Sequence, residues 1–244
     1  MEKLIYRIEH YDNVDSTNTL LKSRAKHGEN EGLVIWADSQ SEGRGRLGRS
    51  FYSPDSGLYF SLLLKPDISP SKTLYITAAA AVAVCRAIHK TAGISADIKW
   101  VNDIFSDGKK VCGILAEGAS KNESELSFVV LGIGVNIYSS EFPDELRDIA
   151  GCILKEKPSE DFRKKLLYAI LEEFADIYST LETADFADEY RKHSFIIGKK
   201  VYAVKGDNRC AVEVVGIDDE FRLIVKDENG EKFALSSGEV SIRF

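Results

Sequence analysis

The chain has 244 residues, of which 44% are apolar and 29% are charged, and its net charge is −7. This length suits one large domain with a small appendage, and the acidic balance disfavours a nucleic-acid binder, which normally needs a basic excess. No uninterrupted apolar run approaches the roughly 20 residues that span a bilayer, and the N-terminus lacks an apolar signal segment. We therefore expect a cytoplasmic protein without membrane attachment. The four dispersed cysteines form no C-x-x-C pair, so reduced thiols are expected and a zinc site is not.

The first part of the chain predicts strands, helices and one long loop. Apolar runs predict strands at residues 6–11, 33–37 and 58–64, and residues 15–18 offer N-cap candidates for a helix that ends near Gly28. Residues 39–50 are polar and rich in glycine and arginine, which predicts a loop. Ser69-Pro70 predicts the start of a helix that runs through an alanine-rich segment to Gly93.

The rest of the chain predicts a change of architecture near Gly198. Short strands are predicted at residues 96–100, 104–105, 111–117 and 126–137, and helical spacing of apolar residues predicts helices over 159–183 and 186–192. Beyond Gly198, predicted strands at 201–204, 211–217, 221–225 and 232–235 have the spacing of a small barrel. We therefore expect an α+β domain over residues 1–196 and a small all-β domain over residues 197–244.

The long loop contains the sequence GRGRLGR at residues 43–49. It matches G-x-G-x-x-G, but no helix opens at its last glycine, as a dinucleotide-binding turn requires, and no kinase motif follows downstream. Three arginines within six residues repel one another, so such a loop is expected to become ordered when an anion neutralises it. The simpler alternative is a solvated basic loop.

Three further segments carry polar residues at strand ends or glycines within strands. They are KWVND at residues 99–103, GKKVCGIL at residues 108–115 and LGIGVNI at residues 131–137. Each has an ordinary structural explanation by itself, such as a polar turn or a relief of sheet packing. Glycine within a strand is costly, however, unless another group packs against the backbone. These glycines are therefore also consistent with a flat ligand lying on the sheet.

Together, and in this order, the four segments resemble the catalytic domain of the biotin protein ligases. That family has a G-R-G-R-x-G-R loop, a K-W-P-N-D turn, a K-x-x-G-I-L strand and a glycine-rich strand that ends in asparagine. Val101 stands where the family has proline, and the C-terminal segment at residues 238–243 resembles the family's SH3-like domain. The resemblance implies a mixed sheet flanked by helices, of the class II synthetase-like biotin/lipoate ligase type, with a small SH3-like β-barrel after it.

The resemblance also implies a two-step reaction. Biotin and MgATP give biotinyl-5'-AMP, and a lysine of a biotin carboxyl carrier domain then takes the biotin, without a tightly bound prosthetic group. The implied catalytic residues are Lys110, Arg46 and Arg44. The implied biotin-binding residues are Ser16, Thr17, Asn18, Gln40, Gly43, Arg44, Gly45, Arg46, Lys110 and Gly113.

The implied ATP-binding residues include an aromatic ring for adenine. Phe51 falls where many family members place a tryptophan against the base, so it keeps the stacking face but lacks the indole donor. The full implied set is Arg46, Arg49, Phe51, Lys99, Asn102, Asp103 and Asn136. Mg²⁺ is expected to be held through the phosphates, with Asp103 as a candidate protein ligand.

Two other functions remain open at this point. A lipoate or octanoate ligase would have the same fold, but its acid has no ureido ring for Ser16, Thr17, Asn18 and Gln40 to bind. A non-enzymatic biotin-binding module would need no cations directed at phosphate. Because the ligase pattern begins within the first 20 residues, we expect a single-function ligase with no specific DNA binding. The family resemblance also allows a homodimer.

Overall fold

The computed structural model describes residues 4–122, 125–139, 141–205, 208–236 and 239–242. Within these ranges seven strands form the larger sheet. They are β1 (Arg7–Val14), β2 (Leu33–Gln40), β3 (Gly57–Leu64), β4 (Asp97–Lys99), β5 (Asp103–Ser106), β6 (Lys109–Ser120) and β7 (Leu126–Asn136). Their order is β1-β2-β3-β7-β6-β5-β4. The β1–β2 pair is parallel and the other neighbours are antiparallel, so the predicted mixed sheet is confirmed.

Helices cover both faces of this sheet. They are α1 (Thr17–Lys26), α2 (Thr73–Ala92), α3 (Phe162–Ser179) and α4 (Ala187–His193). Side chains alternate along β2, so Leu33 and Ile35 pack in one cluster with Leu21 of α1, while Val34 and Trp36 belong to the larger core that includes α2 and α3. The sheet is thus buried between α1 on one side and α2 with α3 on the other.

Helix ends follow the local sequence. The side chain of Ser16 caps α1 by accepting a hydrogen bond from the Thr19 backbone N–H at 3.4 Å. Gly93 ends α2 in the left-handed conformation, at φ 71°, and its N–H bonds to the His89 carbonyl. Helix α3 begins at Phe162 rather than at residue 159, since Ser159 accepts the hydrogen bond of a preceding turn.

Helix α2 is long and apolar, and most of it lies in the core. The segment Pro70–Ala92 is long and apolar enough, by length and composition, to cross a membrane. It is instead largely buried, and residues 78–84 have no exposed surface. An apolar helix of this kind also arises in a protein core, because a helix that is hydrophobic all round can be enclosed by its neighbours.

The C-terminal part forms a second, antiparallel sheet. Its strands are β8 (Lys200–Lys205), β9 (Asn208–Ile217), β10 (Leu223–Lys226), β11 (Lys232–Leu235) and β12 (Glu239–Ile242), in the order β11-β10-β9-β8-β12. This agrees with the expected small β domain. Gly238 and Arg243, which contributed to the resemblance, lie outside the described residues.

The predicted strand at 221–225 begins two residues too early. Phe221 has a φ of 58°, and the Asp218 carboxylate accepts the backbone N–H groups of Glu220 and Arg222 at 3.0 and 2.8 Å. This side-chain turn holds the chain out of the extended conformation until Leu223.

Candidate functional site

The candidate site lies where α1 leaves part of the sheet uncovered. Its floor is formed by the glycine-bearing stretches of β6 and β7, which are paired through Gly113 and Gly134. The N-terminus of α1 forms one wall, and the glycine-arginine loop forms another. The residues that line this cleft are Ser16, Thr17, Asn18, Gln40, Arg44, Gly45, Arg46, Phe51, Phe60, Asn102, Lys110, Gly113, Ile114, Leu115, Gly132, Ile133 and Gly134.

A chain of polar contacts joins α1 to the end of the loop. Gln40 Oε1 accepts the Thr17 backbone N–H at 2.9 Å and lies 3.1 Å from Thr17 Oγ1. Gln40 Nε2 donates to Ser53 Oγ at 2.9 Å, and the Ser53 hydroxyl donates to the Phe51 carbonyl at 2.9 Å. This network fixes the Gln40 amide, so that its acceptor points at Thr17 and its donor at Ser53.

A buried serine fixes the Asn18 side chain. The Ser61 hydroxyl lies 2.6 Å from Asn18 Oδ1 and 2.8 Å from Thr17 Oγ1, and it has no exposed surface. One hydroxyl has one proton, so Ser61 donates to Asn18, and Thr17 is left to donate to Ser61 or to the nearby glutamine. A Cβ at Gly132 would stand 2.1 Å from Asn18 Oδ1. Glycine is therefore required there for the amide to lie on the sheet.

The floor of the cleft carries the Phe51 ring. A Cβ at Gly113 would be 2.9 Å from this ring, and a Cβ at Gly134 would be 2.6 Å from it. The ring also meets Tyr59 edge-on, with 6.3 Å between centroids. With Phe51 in this position, only about 50 Å³ of free volume remains between the lining residues. The glycines thus form a flat surface on the sheet, and the Phe51 ring lies on it.

Cations and one carboxylate gather at one end of this surface. Lys110 Nζ is 2.6 Å from Asp103 Oδ1 and 5.9 Å from the centroid of the Phe51 ring. Asp103 Oδ1 is buried and lacks a hydrogen bond of normal geometry despite this close cation. Arg46 Nη1 donates to Asn102 Oδ1 at 3.0 Å. The KWVND turn is therefore linked directly to the arginine loop.

Arg44 has a carboxylate partner that lies far away in the sequence. Arg44 Nη2 is 3.4 Å from Glu117 Oε1 on β6. Glu117 also contacts Asn18 Nδ2 at 3.1 Å and Lys22 Nζ at 3.2 Å. Burial alone would raise the pKa of Glu117, but the hydrogen bonds from Asn18 and Lys22 and the charge of Arg44 together lower it below its ordinary value. The carboxylate is therefore ionised at neutral pH.

Most of the predicted site residues meet in this cleft, and five lie outside its lining, among them Asp103, which contacts the lining residue Lys110. Gly43 lies just behind it, since its carbonyl accepts the Phe51 N–H at 2.8 Å. Asn136 Nδ2 donates to the Gly151 carbonyl at 3.0 Å. Lys99 Nζ lies 5.7 Å from the centroid of the Phe105 ring. Arg49 bonds through its backbone to Gly45 and Arg46.

A larger cavity of about 590 Å³ opens beside the cleft. The two share Arg46, Asn102, Ile114 and Leu115 in their lining. The far side of the larger cavity is formed by the start of α2 and by Glu220 and Arg222, which lie in the turn between β9 and β10. The cleft therefore has an adjoining space of the size that holds small ligands, about 300–1,000 Å³.

Three polar residues that support the site from outside its lining, Ser53, Ser61 and Glu117, are absent from the sequence prediction. Ser61 is the single hydroxyl without an aromatic ring in the apolar run of β3, and that isolation was a usable signal. Glu117 lies on the same strand as KKVCGIL, but its partners Arg44, Lys22 and Asn18 are 73, 95 and 99 residues away along the chain. Local patterns cannot indicate such contacts.

One other group of potential metal ligands occurs among the described residues. His10, Asp12 and Asp38 bring ligand atoms within 4.8 Å of one another at the β1–β2 edge. The Arg163 guanidinium lies 2.9 Å from Asp38 Oδ1. Because its charge already neutralises Asp38 and repels a dication, we assign no metal to this group.

Comparisons with known proteins agree with this geometry. The model of the biotin/lipoate A/B protein ligase family matches residues 11–136. The chain is 35% identical to the bifunctional ligase/repressor BirA of Bacillus subtilis over 237 residues, covering 95% of this chain and 71% of BirA. It is 29% identical to the biotin–[acetyl-CoA-carboxylase] ligase of Mycobacterium tuberculosis, covering 92% of this chain and 85% of that protein.

A solved structure matches nearly the whole fold. It is the biotin protein ligase of Aquifex aeolicus in complex with biotin and ATP, which superposes with a TM-score of 0.81 at 27% identity and covers 98% of this chain and 99% of that one. The chain is thus a member of the biotin/lipoate A/B protein ligase family.

Proposed function

We propose that this protein is an ATP-dependent biotin protein ligase. It makes biotinyl-5'-AMP from biotin and MgATP and then transfers the biotin to a lysine of a biotin carboxyl carrier domain. The observation that carries this proposal is one cleft in which a fixed polar network, Thr17, Asn18 and Gln40, lies beside the cations Lys110 and Arg46.

The polar end of the cleft suits the ureido ring of biotin. That ring offers two N–H donors and one carbonyl acceptor. Thr17 and Gln40 present fixed hydroxyl and amide groups, and Asn18 Oδ1 keeps a second lone pair beyond the one used by Ser61. A lipoyl or octanoyl chain has no ring N–H or ureido carbonyl, so it would gain no hydrogen bonds at this end of the cleft. This favours biotin over the other acids that such ligases activate.

The cationic end suits the joining of two anions. In the first step a biotin carboxylate oxygen attacks the α-phosphorus, and the bond to pyrophosphate breaks. Lys110 and Arg46 offset the repulsion between carboxylate and phosphate and the charge that builds up during transfer. In the second step the acceptor amine attacks the anhydride carbonyl, and AMP leaves with the electron pair of the broken bond.

Mg²⁺ supplies charge neutralisation on the phosphates when it is bound. Asp103 is the proposed protein ligand, because it is the carboxylate at the cationic end of the cleft; its Oδ1 is paired with Lys110 at 2.6 Å, so the ion would have to displace that ammonium toward the phosphates. Phe51 offers a face for adenine, while Arg49, Lys99, Asn102 and Asn136 are proposed contributors on the nucleotide side. Arg44 and Gly45 are proposed to cover the biotin. Gly43 and Gly113 are proposed to support this site indirectly, because they leave room for the backbone and the ring of Phe51.

We further propose a cytoplasmic ligase that does not bind operator DNA. The net charge of −7 supports this, because phosphate contacts require a basic surface. A gel-shift experiment at physiological salt is expected to give no sequence-specific complex. Homodimerisation is a further proposal, supported by the two edge strands β1 and β4. Sedimentation with and without biotin and ATP tests it.

Pyrophosphate release by the purified protein tests the proposed function. Release from MgATP should depend on added biotin and should not occur with lipoate or without an acid. Release with lipoate alone would replace biotin as the substrate. No release with either acid would favour a protein that only binds biotin.

A further inference from the structure

Glu117 occupies a central position behind the candidate biotin site. It stands on β6, four residues after Gly113, and its side chain is only 17% exposed. Its two carboxylate oxygens contact three groups from separate parts of the chain. These are the Asn18 amide, the Lys22 ammonium and the Arg44 guanidinium. Glu117 itself does not line the cleft.

The first consequence concerns the orientation of the Asn18 amide. Asn18 Nδ2 donates to Glu117 Oε2 at 3.1 Å, while Oδ1 accepts from Ser61 at 2.6 Å. A reversed amide would place its carbonyl oxygen against an ionised carboxylate, and this arrangement is repulsive. Glu117 therefore holds the carbonyl of Asn18 on the side where a ring N–H can be accepted.

The second consequence concerns the arginine loop. Arg44 is half exposed, and the 3.4 Å contact with Glu117 ties it to the sheet at the edge of the cleft. Lys22 is a second cation on the same carboxylate. Of these two cations only Arg44 lines the cleft.

We infer that Glu117 is a positioning residue for biotin, which orients Asn18 toward the ureido ring and holds Arg44 over the cleft. This inference rests on the proposed function, since it assigns both partners to the biotin site. A carboxylate that merely joined α1 to β6 would contribute to the stability of the fold, but it would not change the KM for one substrate alone.

The test uses two variants of Glu117 and one matched control. Glu117→Ala removes all three contacts, and Glu117→Gln keeps an acceptor for Asn18 but loses the charge that holds Arg44. Lys22→Met removes the third partner of Glu117 and leaves Asn18 and Arg44 in place. For each protein, biotin-dependent pyrophosphate release gives kcat and both KM values, and thermal unfolding gives Tm.

Glu117→Ala is expected to raise the KM for biotin about tenfold or more, because hydrogen bonds to charged groups are worth about that factor or more. The KM for ATP should stay within about twofold, as for a change confined to one substrate. Glu117→Gln should give an intermediate KM for biotin, and Lys22→Met should stay close to the unsubstituted protein. In an Arg44→Met background, Glu117→Ala should have a smaller effect.

An unchanged KM for biotin in Glu117→Ala would overturn the inference, and so would equal increases in both KM values. If Glu117→Ala fails to fold, Glu117→Gln decides, and an unchanged KM for biotin in that variant has the same meaning. The unsubstituted protein shows whether the proposed function or only the role of Glu117 is wrong. If it releases no pyrophosphate with biotin, the proposed function fails. If it does and the variants match it, only the role of Glu117 fails.

Discussion

At the scale of single residues, the site depends on charged groups that are only partly surrounded by protein. Lys110 is held between a buried carboxylate oxygen and an aromatic face. Arg46 reaches across to the amide oxygen of Asn102. Contacts with other residues thus hold both cations in place. We therefore expect each to contribute to catalysis in a way that a cation next to it in the sequence cannot.

Lys110→Ala is expected to lower biotin-dependent pyrophosphate release by about a hundredfold or more, because it removes a cation placed at the developing charge. Lys109→Ala is the matched control, since the Lys109 ammonium donates to the Arg147 carbonyl instead. The initial rate of pyrophosphate release at saturating biotin and MgATP is the measurement. Equal losses in the two variants would contradict a specific role for Lys110.

Arg46→Gly is expected to keep part of adenylate synthesis but to let the intermediate escape, because the loop then loses its link to Asn102. Biotin labelling of unrelated proteins, detected with streptavidin, should increase. Arg147→Ala, a change at an exposed arginine, should leave labelling at the background level. If Arg46→Gly made no adenylate at all, the proposal that Arg46 retains the adenylate in the site would be wrong.

At the scale of elements, two paired strands carry glycines at the positions where an aromatic ring lies on the sheet. Gly113 and Gly134 face each other across β6 and β7, and Phe51 contacts the positions that their Cβ atoms would occupy. Glycine within a strand is destabilising, because it has no side chain to pack and loses more conformational entropy on folding. The contact with the Phe51 ring offsets this destabilisation at both positions.

Gly134→Ala is expected to lower the free energy of unfolding by about 1–3 kcal/mol, because the new Cβ overlaps the Phe51 ring and forces it to move. The same change in a Phe51→Ala background should cost less. Gly216→Ala on β9 is the control, because no atom lies within 4 Å of its added Cβ. Urea unfolding is measured for the unsubstituted protein, the three single variants and the double variant, and additive effects of Gly134→Ala and Phe51→Ala would contradict direct contact.

At the scale of the whole molecule, the two sheets share one hydrophobic core. Phe221 precedes β10, is 1% exposed and stacks on Phe186 with 5.1 Å between centroids. It also meets Tyr75 and Tyr190 edge-on, and its carbonyl accepts the Trp100 indole N–H at 2.8 Å. The boundary at residues 196–197 stays a prediction about domain organisation, while the buried cluster runs across it.

Phe221→Ala is expected to lower the free energy of unfolding by about 3–5 kcal/mol, because it leaves a cavity where both sheets meet. Phe233→Ala on β11 is the control, since Phe233 is 41% exposed and its loss should cost less than that of the buried Phe221. Unfolding followed by tryptophan fluorescence and by circular dichroism should give one coincident transition for the unsubstituted protein. Two separate transitions would contradict a shared core.

The sequence by itself determined the positions of most elements and the class of chemistry. Alternation and helical spacing placed the strands and helices within a few residues, since these patterns depend on near neighbours. Gly93 marked the end of α2, and the order of the four motifs indicated the family. The predicted strand boundary was wrong where a side chain forms hydrogen bonds with the backbone, as the Asp218 carboxylate does before β10.

Only the tertiary structure decided which residues meet. Glu117 lies 73 residues from Arg44 and 99 from Asn18, and Phe51 lies on glycines from two later strands. These contacts follow from the strand order of the sheet and from the side on which α1 packs. Local composition does not encode such distances. Contacts of this kind form when the burial of apolar surface brings distant segments together, because the polar groups that are buried with them must then form hydrogen bonds with each other.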